Sequence, residues 1–539
     1  MKSSFTITRS LSFKVGLVLA LASVSVLLLL PLVAGKEKDK EQPKGTVSKK
    51  SFATGSAALA SRIESVLEES EGPARWGISV ISMADGSKVY ERDGDKLFTP
   101  ASNMKIYTTG VALDLLGVDY RWRTSVYASA QPDARGRING DLILYGRGAP
   151  DLVASSKDEN RGSLEKLAED LYARGVRSVG GNVIGDESYF RGSSLGDGWQ
   201  WTDLQWYFGA EASALSINGN EVDINFVPAG SAGESAVRTS ETEGYVTVQN
   251  RMSATADRSV QPTIGVHRGL SDNNVEVWGE FVPGSKGFGV RLSVHNPALW
   301  AAKLFRRALE TRGIQVDGQT LARDSRVPQS QRFDPSRSLE LAFVQSQPMA
   351  EIAKKTNKES NNLFAELILR TLGRERGEMS PPPKGNGIER GDDESGVAVI
   401  RLWLERMGIS TTRLALHDGS GLSRLDLVTP ETNARFLLTL SKTNVGPVFR
   451  GSLPIAGRDG TLAGRLKSLA DGVSAKTGSL TYDNSLSGYL TTSKGELFAF
   501  SIMCNDQTGS VNSVLVIDQI VALLSAYPDL PAEKSQKSE

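Results

Sequence analysis

Three short motifs in this chain carry side chains able to do covalent chemistry. The first is Ser102-Asn103-Met104-Lys105. A helix starting at Ser102 sets residues i and i+3 on one face, which makes the hydroxyl and the amine neighbours. A serine hydroxyl is a weak nucleophile until a base takes its proton. A lysine held in a dry cleft has its pKa lowered enough to act as that base. A helix start also leaves free N–H groups, so the Ser102 N–H is available to an oxyanion. The second motif is Ser360-Asn361-Asn362, in a loop before a helix. The third is Lys476-Thr477-Gly478-Ser479, at the end of a strand. A lysine and a hydroxyl together can grip a carboxylate, and a glycine lets an extended substrate lie along the strand edge. Each motif alone is common and reads more readily as a helix cap, a surface lysine or a strand end.

Other chemistries find less support. Gly192-Ser193-Ser194-Leu195-Gly196 fits Gly-x-Ser-x-Gly, but a nucleophile elbow needs a strand before it and a helix after it, and the flanking residues read as loop. His267, His295 and His417 are far apart, and the single cysteine, Cys504, sits in an apolar run that reads as core. No zinc spacing is present, so neither a metal nor another cofactor is expected. Lys plus Arg and Asp plus Glu both number 62, and this zero net charge gives a nucleic-acid partner no support.

The elements that must position the motifs can be read from periodicity. A helix pattern covers residues 56–69, and strands at 76–83 and 88–91 flank the hairpin signal Ala84-Asp85-Gly86. A second helix runs from near Ser102 to Leu116. From about Arg121 the texture becomes strand-rich, with runs at 141–145, 176–184, 221–227, 245–249, 274–281 and 290–294 and helical patterns at 163–174 and 297–312. Helices return at 349–356, 362–372, 396–406 and 430–441, with a charged, Pro/Gly-rich loop at 375–394. Strands at 473–478, 485–492 and 497–504 and a helix at 511–524 close the core.

The N-terminus places Lys2, Arg9 and Lys14 before an apolar run at 15–35, followed by a charged linker at 36–52. That order is an export signal. The run is also long enough to span a bilayer, so membrane association through 15–35 is the alternative to cleavage. The main body is expected outside the cytoplasmic membrane.

Ser-x-x-Lys, a Ser-x-Asn triplet and Lys-Thr-Gly in this order are the combination of penicillin-binding proteins and class A β-lactamases. The gap from Lys105 to Ser360 is too long for a class A β-lactamase. The chain resembles the D-alanyl-D-alanine carboxypeptidase/endopeptidases, the class C low-molecular-mass penicillin-binding proteins, over roughly residues 55–528. Beyond the three motifs the likeness is carried by 181–186 (GNVIGD), 206–210 (WYFGA), 213–220 (SALSINGN), 360–366 (SNNLFAE), 418–423 (DGSGLS), 453–461 (LPIAGRDGT) and 475–480 (AKTGSL).

The resemblance implies a mixed α/β fold: a penicillin-binding, β-lactamase-like domain with an antiparallel sheet and flanking helices, split by two smaller strand-rich domains. The implied limits are 53–120 and 336–528 for the catalytic domain, 121–215 and 291–335 for the second, 216–290 for the third, and a tail at 529–539. It implies Ser102 as nucleophile, Lys105 as its base and Ser360 as proton relay. Asn362, Lys476, Thr477, Gly478 and Ser479 would hold a peptidoglycan stem peptide or a β-lactam inhibitor. The rivals are a non-catalytic wall-binding scaffold on the same fold and a β-lactamase. One departure stands out: where the family has Gly-Asp-Pro-Thr/Ser-Leu, this chain has Gly148-Ala149-Pro150-Asp151-Leu152, which would alter recognition of the third stem residue if that segment reaches it.

Overall fold

In the computed structural model, the described residues are 54–530 apart from 56, 71, 155–161, 228–235, 240–243, 256, 258, 260, 262, 283–286, 329, 331, 381–389 and 510–511. The export signal and the linker lie outside the described residues, as does the tail beyond 530.

The catalytic motifs are organised by a six-stranded antiparallel sheet. Its order is Thr54–Gly55, Lys88–Arg92, Arg75–Ser82, Leu497–Asn505, Asp483–Thr491 and Val473–Leu480. The alternating side chains of a strand divide between its two faces. In Leu497–Asn505, residues Phe498, Phe500, Ile502 and Cys504 join one buried cluster with the helices Ala57–Glu69 and Ser513–Ala526. Ala499 and Met503 join another, with the helices Met104–Leu116, Met349–Lys358, Asn362–Arg376, Asp392–Arg406 and Pro430–Ser441. Cys504 is thus a core residue, and burial pushes its thiol up to about 12. None of the described helices is long and apolar enough to cross a membrane.

The interposed stretch builds a second, five-stranded sheet in the order Thr320–Arg323, Val183–Asp186, Leu142–Tyr145, Arg123–Ala128 and Leu339–Gln345. Its first three strands are parallel, and the last two pair antiparallel. Strands Arg123–Ala128 and Leu339–Gln345 carry no expectation from periodicity, and the latter pairs here although its number falls in the second catalytic segment. Three further three-stranded sheets follow among the described residues, around Glu221–Val227, around Asn274–Phe281 and around Ser178–Val179. All of these, with helices Ser163–Ala173 and Pro297–Arg312, bury their apolar faces in one continuous cluster.

Candidate active site

The three motifs meet at one cleft. Ala101–Asn103 forms a single 3-10 turn that runs into the helix Met104–Leu116, so the α-helix begins two residues later than its sequence suggests. The reason lies in the packing of that turn. Ala101 has φ of 49°, and Gly421 presses on it so closely that a Cβ at 421 would stand 1.8 Å from the Ala101 carbonyl oxygen. Asn103 locks the turn to the sheet. It is buried, and its Nδ2 donates to Ser485 Oγ at 2.5 Å and to the Lys476 carbonyl at 3.3 Å. Ser485 Oγ in turn donates to the Pro100 carbonyl at 2.7 Å. Gly478 makes this approach feasible, because a Cβ there would lie 2.6 Å from the Pro100 carbonyl oxygen. The space left by that glycine is therefore filled on the protein side of the strand.

Lys105 is fully buried. Its Nζ lies 2.9 Å from Ser102 Oγ, 2.7 Å from Asn362 Oδ1 and 2.6 Å from the Ser420 carbonyl oxygen. Burial pushes its pKa down to about 7, against the opposing pull of the Asp418 and Glu366 carboxylates. Asn362 is oriented by its other end, where Nδ2 donates to the Phe208 carbonyl at 2.9 Å. Its Oδ1 must then face the lysine. A neutral amine has two donors and one lone pair. Asn362 Oδ1 and the Ser420 carbonyl can only accept, so the lone pair faces Ser102, the one partner with a proton to give.

A second hydroxyl–amine pair is built from distant segments. Lys476 Nζ donates to Ser360 Oγ at 2.9 Å and to the Thr477 carbonyl at 2.8 Å. Lys476 is fully buried, and burial followed by the charge of Lys105 holds its pKa well below the usual lysine value. Ser360 has φ of 59°. The next residue, Asn361, caps the helix Asn362–Arg376 by accepting from the Phe364 N–H at 3.0 Å. The 453–461 motif braces this side: Lys358 pairs with Asp459 at 2.6 Å, and the Thr461 and Thr477 hydroxyls lie 2.7 Å apart.

Behind Lys105, buried carboxylates hold the 418–423 loop. Glu366 accepts from the N–H groups of Gly419 and Ser420, each at 2.9 Å, and from Arg370 at 2.7 Å. Asp418 accepts from the N–H groups of Gly421 at 2.7 Å and Ser423 at 2.9 Å. Burial pushes the Glu366 carboxyl up to about 7.

The cleft has a volume of about 450 Å³, and its lining includes Ser102, Ser360, Asn362 and Ser479 with Asp203, Tyr207, Phe208 and Arg424. Lys105 and Lys476 lie directly behind their serines. Thr477 and Gly478 follow on the same strand as Ser479, whose hydroxyl donates to Asn484 Oδ1 at 2.9 Å. Sequence reasoning did not single out Asn103, Glu366, Asp418 or the Phe208 carbonyl. Each falls inside a motif that was visible as a string, but burial and backbone contacts are what give them a part.

The remaining candidates stand apart. Asp151, in the departing 148–152 segment, does not line the cleft; its carboxylate accepts from the Gln347 N–H at 2.8 Å. The Gly192–Gly196 segment has neither a strand before it nor a helix after it. His295 and His417 each pair with a carboxylate, Glu211 and Asp197. Among the described residues no group of His, Cys, Asp or Glu could hold a metal ion.

Comparison with known proteins agrees with this architecture. Residues 59–527 match the family model described as D-Ala-D-Ala carboxypeptidase 3 (S13). The chain is 33% identical over 480 residues to a D-alanyl-D-alanine carboxypeptidase of Actinomadura sp. strain R39, covering 86% of this chain and 84% of that protein. It is 29% identical to the D-alanyl-D-alanine carboxypeptidase DacB of Haemophilus influenzae, over 79% and 84% of the two chains. The crystal structure of penicillin binding protein 4 from Haemophilus influenzae superposes with a TM-score of 0.70 at 25% identity, over 86% of this chain and 98% of that one. The fold is thus that of the penicillin-binding proteins, and the chain belongs to the D-Ala-D-Ala carboxypeptidase 3 (S13) family.

Proposed function

We propose that this D-Ala-D-Ala carboxypeptidase works through an acyl-enzyme on Ser102. The observation that carries the reading is the buried Lys105 amine, with two obligate acceptors on one side and the Ser102 hydroxyl on the other. Lys105 takes the Ser102 proton as Oγ attacks the carbonyl between two D-alanines. The N–H groups of Ser102 and Ser479 receive the oxyanion. The C–N bond then breaks, and the leaving amine takes the proton that Lys105 accepted, relayed through Ser360 and Lys476, which returns Lys105 to its neutral form. Asn362 hydrogen-bonds the substrate amide, and Lys476, Thr477 and Ser479 hold the terminal carboxylate, while Gly478 lets their strand pack against the turn that carries Ser102. Water enters, gives its proton to Lys105 and releases the acyl group, and the proton returns to Ser102. Such a site would equally be acylated by a β-lactam.

The substrate class is the stem peptide of peptidoglycan, and export supports the encounter: the basic residues before the apolar run at 15–35 direct the body of the protein to the wall side. A division at 53–120 and 336–528 for the catalytic domain, with the interposed domains between, follows the same reading, except that strand Leu339–Gln345 joins the interposed sheet and moves the second boundary past it. The test is incubation with purified muropeptides and mass spectrometry, alongside labelling by a fluorescent penicillin. Loss of one D-alanine from monomers is expected, and conversion of cross-linked dimers to monomers would add endopeptidase action. Ser102→Ala is expected to abolish the penicillin adduct and to lower turnover by roughly 10⁴-fold or more. An adduct that survives Ser102→Ala would overturn the assignment.

A further inference from the structure

Beyond Ser479, three segments converge at the end of the cleft: 198–203, 423–425 and 480–482. Arg424 joins them, its N–H donating to the Gly198 carbonyl at 3.3 Å and its guanidinium to the Thr481 carbonyl at 3.0 Å. Each segment carries a large apolar side chain left in solvent: Trp201 is 69% exposed, Leu425 45% and Tyr482 57%. Tyr482 has φ of 71°, in the short turn between strands Val473–Leu480 and Asp483–Thr491. Glycine or asparagine fits such a position without strain, whereas a bulky ring is an outlier there. The turn is held in place, with its Tyr482 carbonyl accepting from the Gln507 N–H at 3.0 Å. An exposed ring kept on strained backbone beside a cleft calls for a functional reason.

We propose that this rim binds the sugar end of the substrate, an N-acetylhexosamine ring of the wall glycan, by stacking on Trp201 and Tyr482. The inference rests on the acyl-enzyme reading above, which gives the substrate its direction. With the terminal carboxylate at Thr477 and the scissile carbonyl between Ser102 and Ser479, the upstream residues continue along Leu480 and Thr481. The strand ends at Leu480 and the chain turns at Thr481 and Tyr482, so at ~3.3 Å per residue Tyr482 stands no more than ~10 Å beyond Ser479, within about three substrate residues upstream. A stem peptide approaches its junction with the glycan at that reach. A hexosamine offers faces of C–H bonds edged by hydroxyls. The electron-rich face of an aromatic ring suits the first, and the polar side chains of Gln200, Thr202 and Asp203 suit the second. The rim is continuous with the peptide cleft, since Gln200, Asp203, Leu480 and Thr481 line both.

The test compares turnover of a free pentapeptide with that of the same pentapeptide linked to a disaccharide, for the wild type, Trp201→Ala and Tyr482→Gly. Both variants are expected to raise KM for the linked substrate about tenfold and to leave the free peptide unchanged. Tyr482→Gly, which relieves the left-handed strain, is expected not to lower the melting temperature, so a loss confined to the linked substrate cannot be misfolding. Equal effects on both substrates, or none on either, would overturn the rim. So would variants whose only change is in self-association by sedimentation, which would make the rim a contact between copies. A wild type that forms a penicillin adduct yet prefers the free peptide would overturn the rim alone. A wild type forming no adduct would overturn the acyl-enzyme reading and the rim with it.

Discussion

Two hydroxyl–lysine pairs share the cleft, and they are assembled by opposite means. Ser102 and Lys105 lie three residues apart where a turn enters a helix. Ser360 and Lys476 lie 116 residues apart and are brought together by a helix start and the middle of a strand. Both pairs have an Nζ–Oγ distance of 2.9 Å, and both lysines are fully buried. The difference lies in what stands behind them. Asp418 and Glu366 partly restore the charged form of Lys105, whereas the charge felt by Lys476 is that of Lys105 itself. Two neighbouring ammonium groups in a dry site disfavour each other. Lys105 is thereby poised near neutrality, where a base both holds and releases a proton, and Lys476 is held well below the usual lysine value until an anion arrives. An incoming carboxylate reverses that shift, because an opposite charge favours the ammonium form. In the proposed mechanism the first pair therefore supplies the base in acylation and the second the carboxylate-sensing group.

The strongest way to break that assignment is Asn362→Asp. It sets a carboxylate against Lys105 in place of an amide oxygen 2.7 Å away. The pKa of Lys105 should rise by about 1–2 units, so the neutral fraction at pH 7 drops from about a half by roughly 5- to 50-fold. In the wild type, acylation should climb as pH rises through about 7, where Lys105 loses its proton. In the variant the same climb should appear at higher pH and recover much of the lost rate. Stopped-flow acylation by a fluorescent penicillin between pH 6 and 10 measures both. A limb that does not move would shift the base to Lys476.

Glu366→Gln tests the support behind the first pair. Removing that charge leaves Lys105 less stabilised as an ammonium, so the limb should move to lower pH, opposite in sign to Asn362→Asp. The same change leaves the buried Arg370 guanidinium without its 2.7 Å carboxylate partner. Breaking one side of a buried ion pair costs roughly 3 kcal/mol. Urea unfolding should show that loss, whereas an unchanged midpoint would mean that the carboxyl was neutral throughout.

The two pairs also differ in how far the sequence disclosed them. Helix 430–441 and strand 221–227 appear at the residues that periodicity marks, and the core strands and helices around the motifs agree within a few residues. The Ser102–Lys105 pair is local, so its spacing alone suggests contact. The Ser360–Lys476 pair follows only from the order of motifs and the resemblance, because nothing in either string encodes a distance across the sheet. The buried supports were the least legible. Glu366 looks like one more helix residue, and Asn103 like filler between a serine and a lysine. Their roles come from the backbone N–H groups and the strand that tertiary packing brings to them. Strand Arg123–Ala128 escaped for a related reason: it starts with Arg-Thr-Ser, polar residues whose burial is set by neighbouring strands.

The smallest effect isolates backbone from hydroxyl in the second pair. Ser360 has φ of 59°, a conformation that costs a residue with a Cβ about 1–2 kcal/mol. Ser360→Ala keeps that cost and removes the hydroxyl that accepts from Lys476. Ser360→Gly removes both, although the freer unfolded chain takes back about 0.4–1 kcal/mol. Glycine should therefore be the more stable of the two by up to about 1.5 kcal/mol, visible as a rise in urea midpoint. Their turnover of a D-Ala-D-Ala peptide should be equal, and lowered by roughly 10²-fold relative to the wild type, as the loss of a positioned proton donor requires. If Ser360→Gly kept wild-type turnover while Ser360→Ala lost it, the part played by this serine would lie in its backbone geometry, and Lys476 would have to reach the leaving amine without a relay.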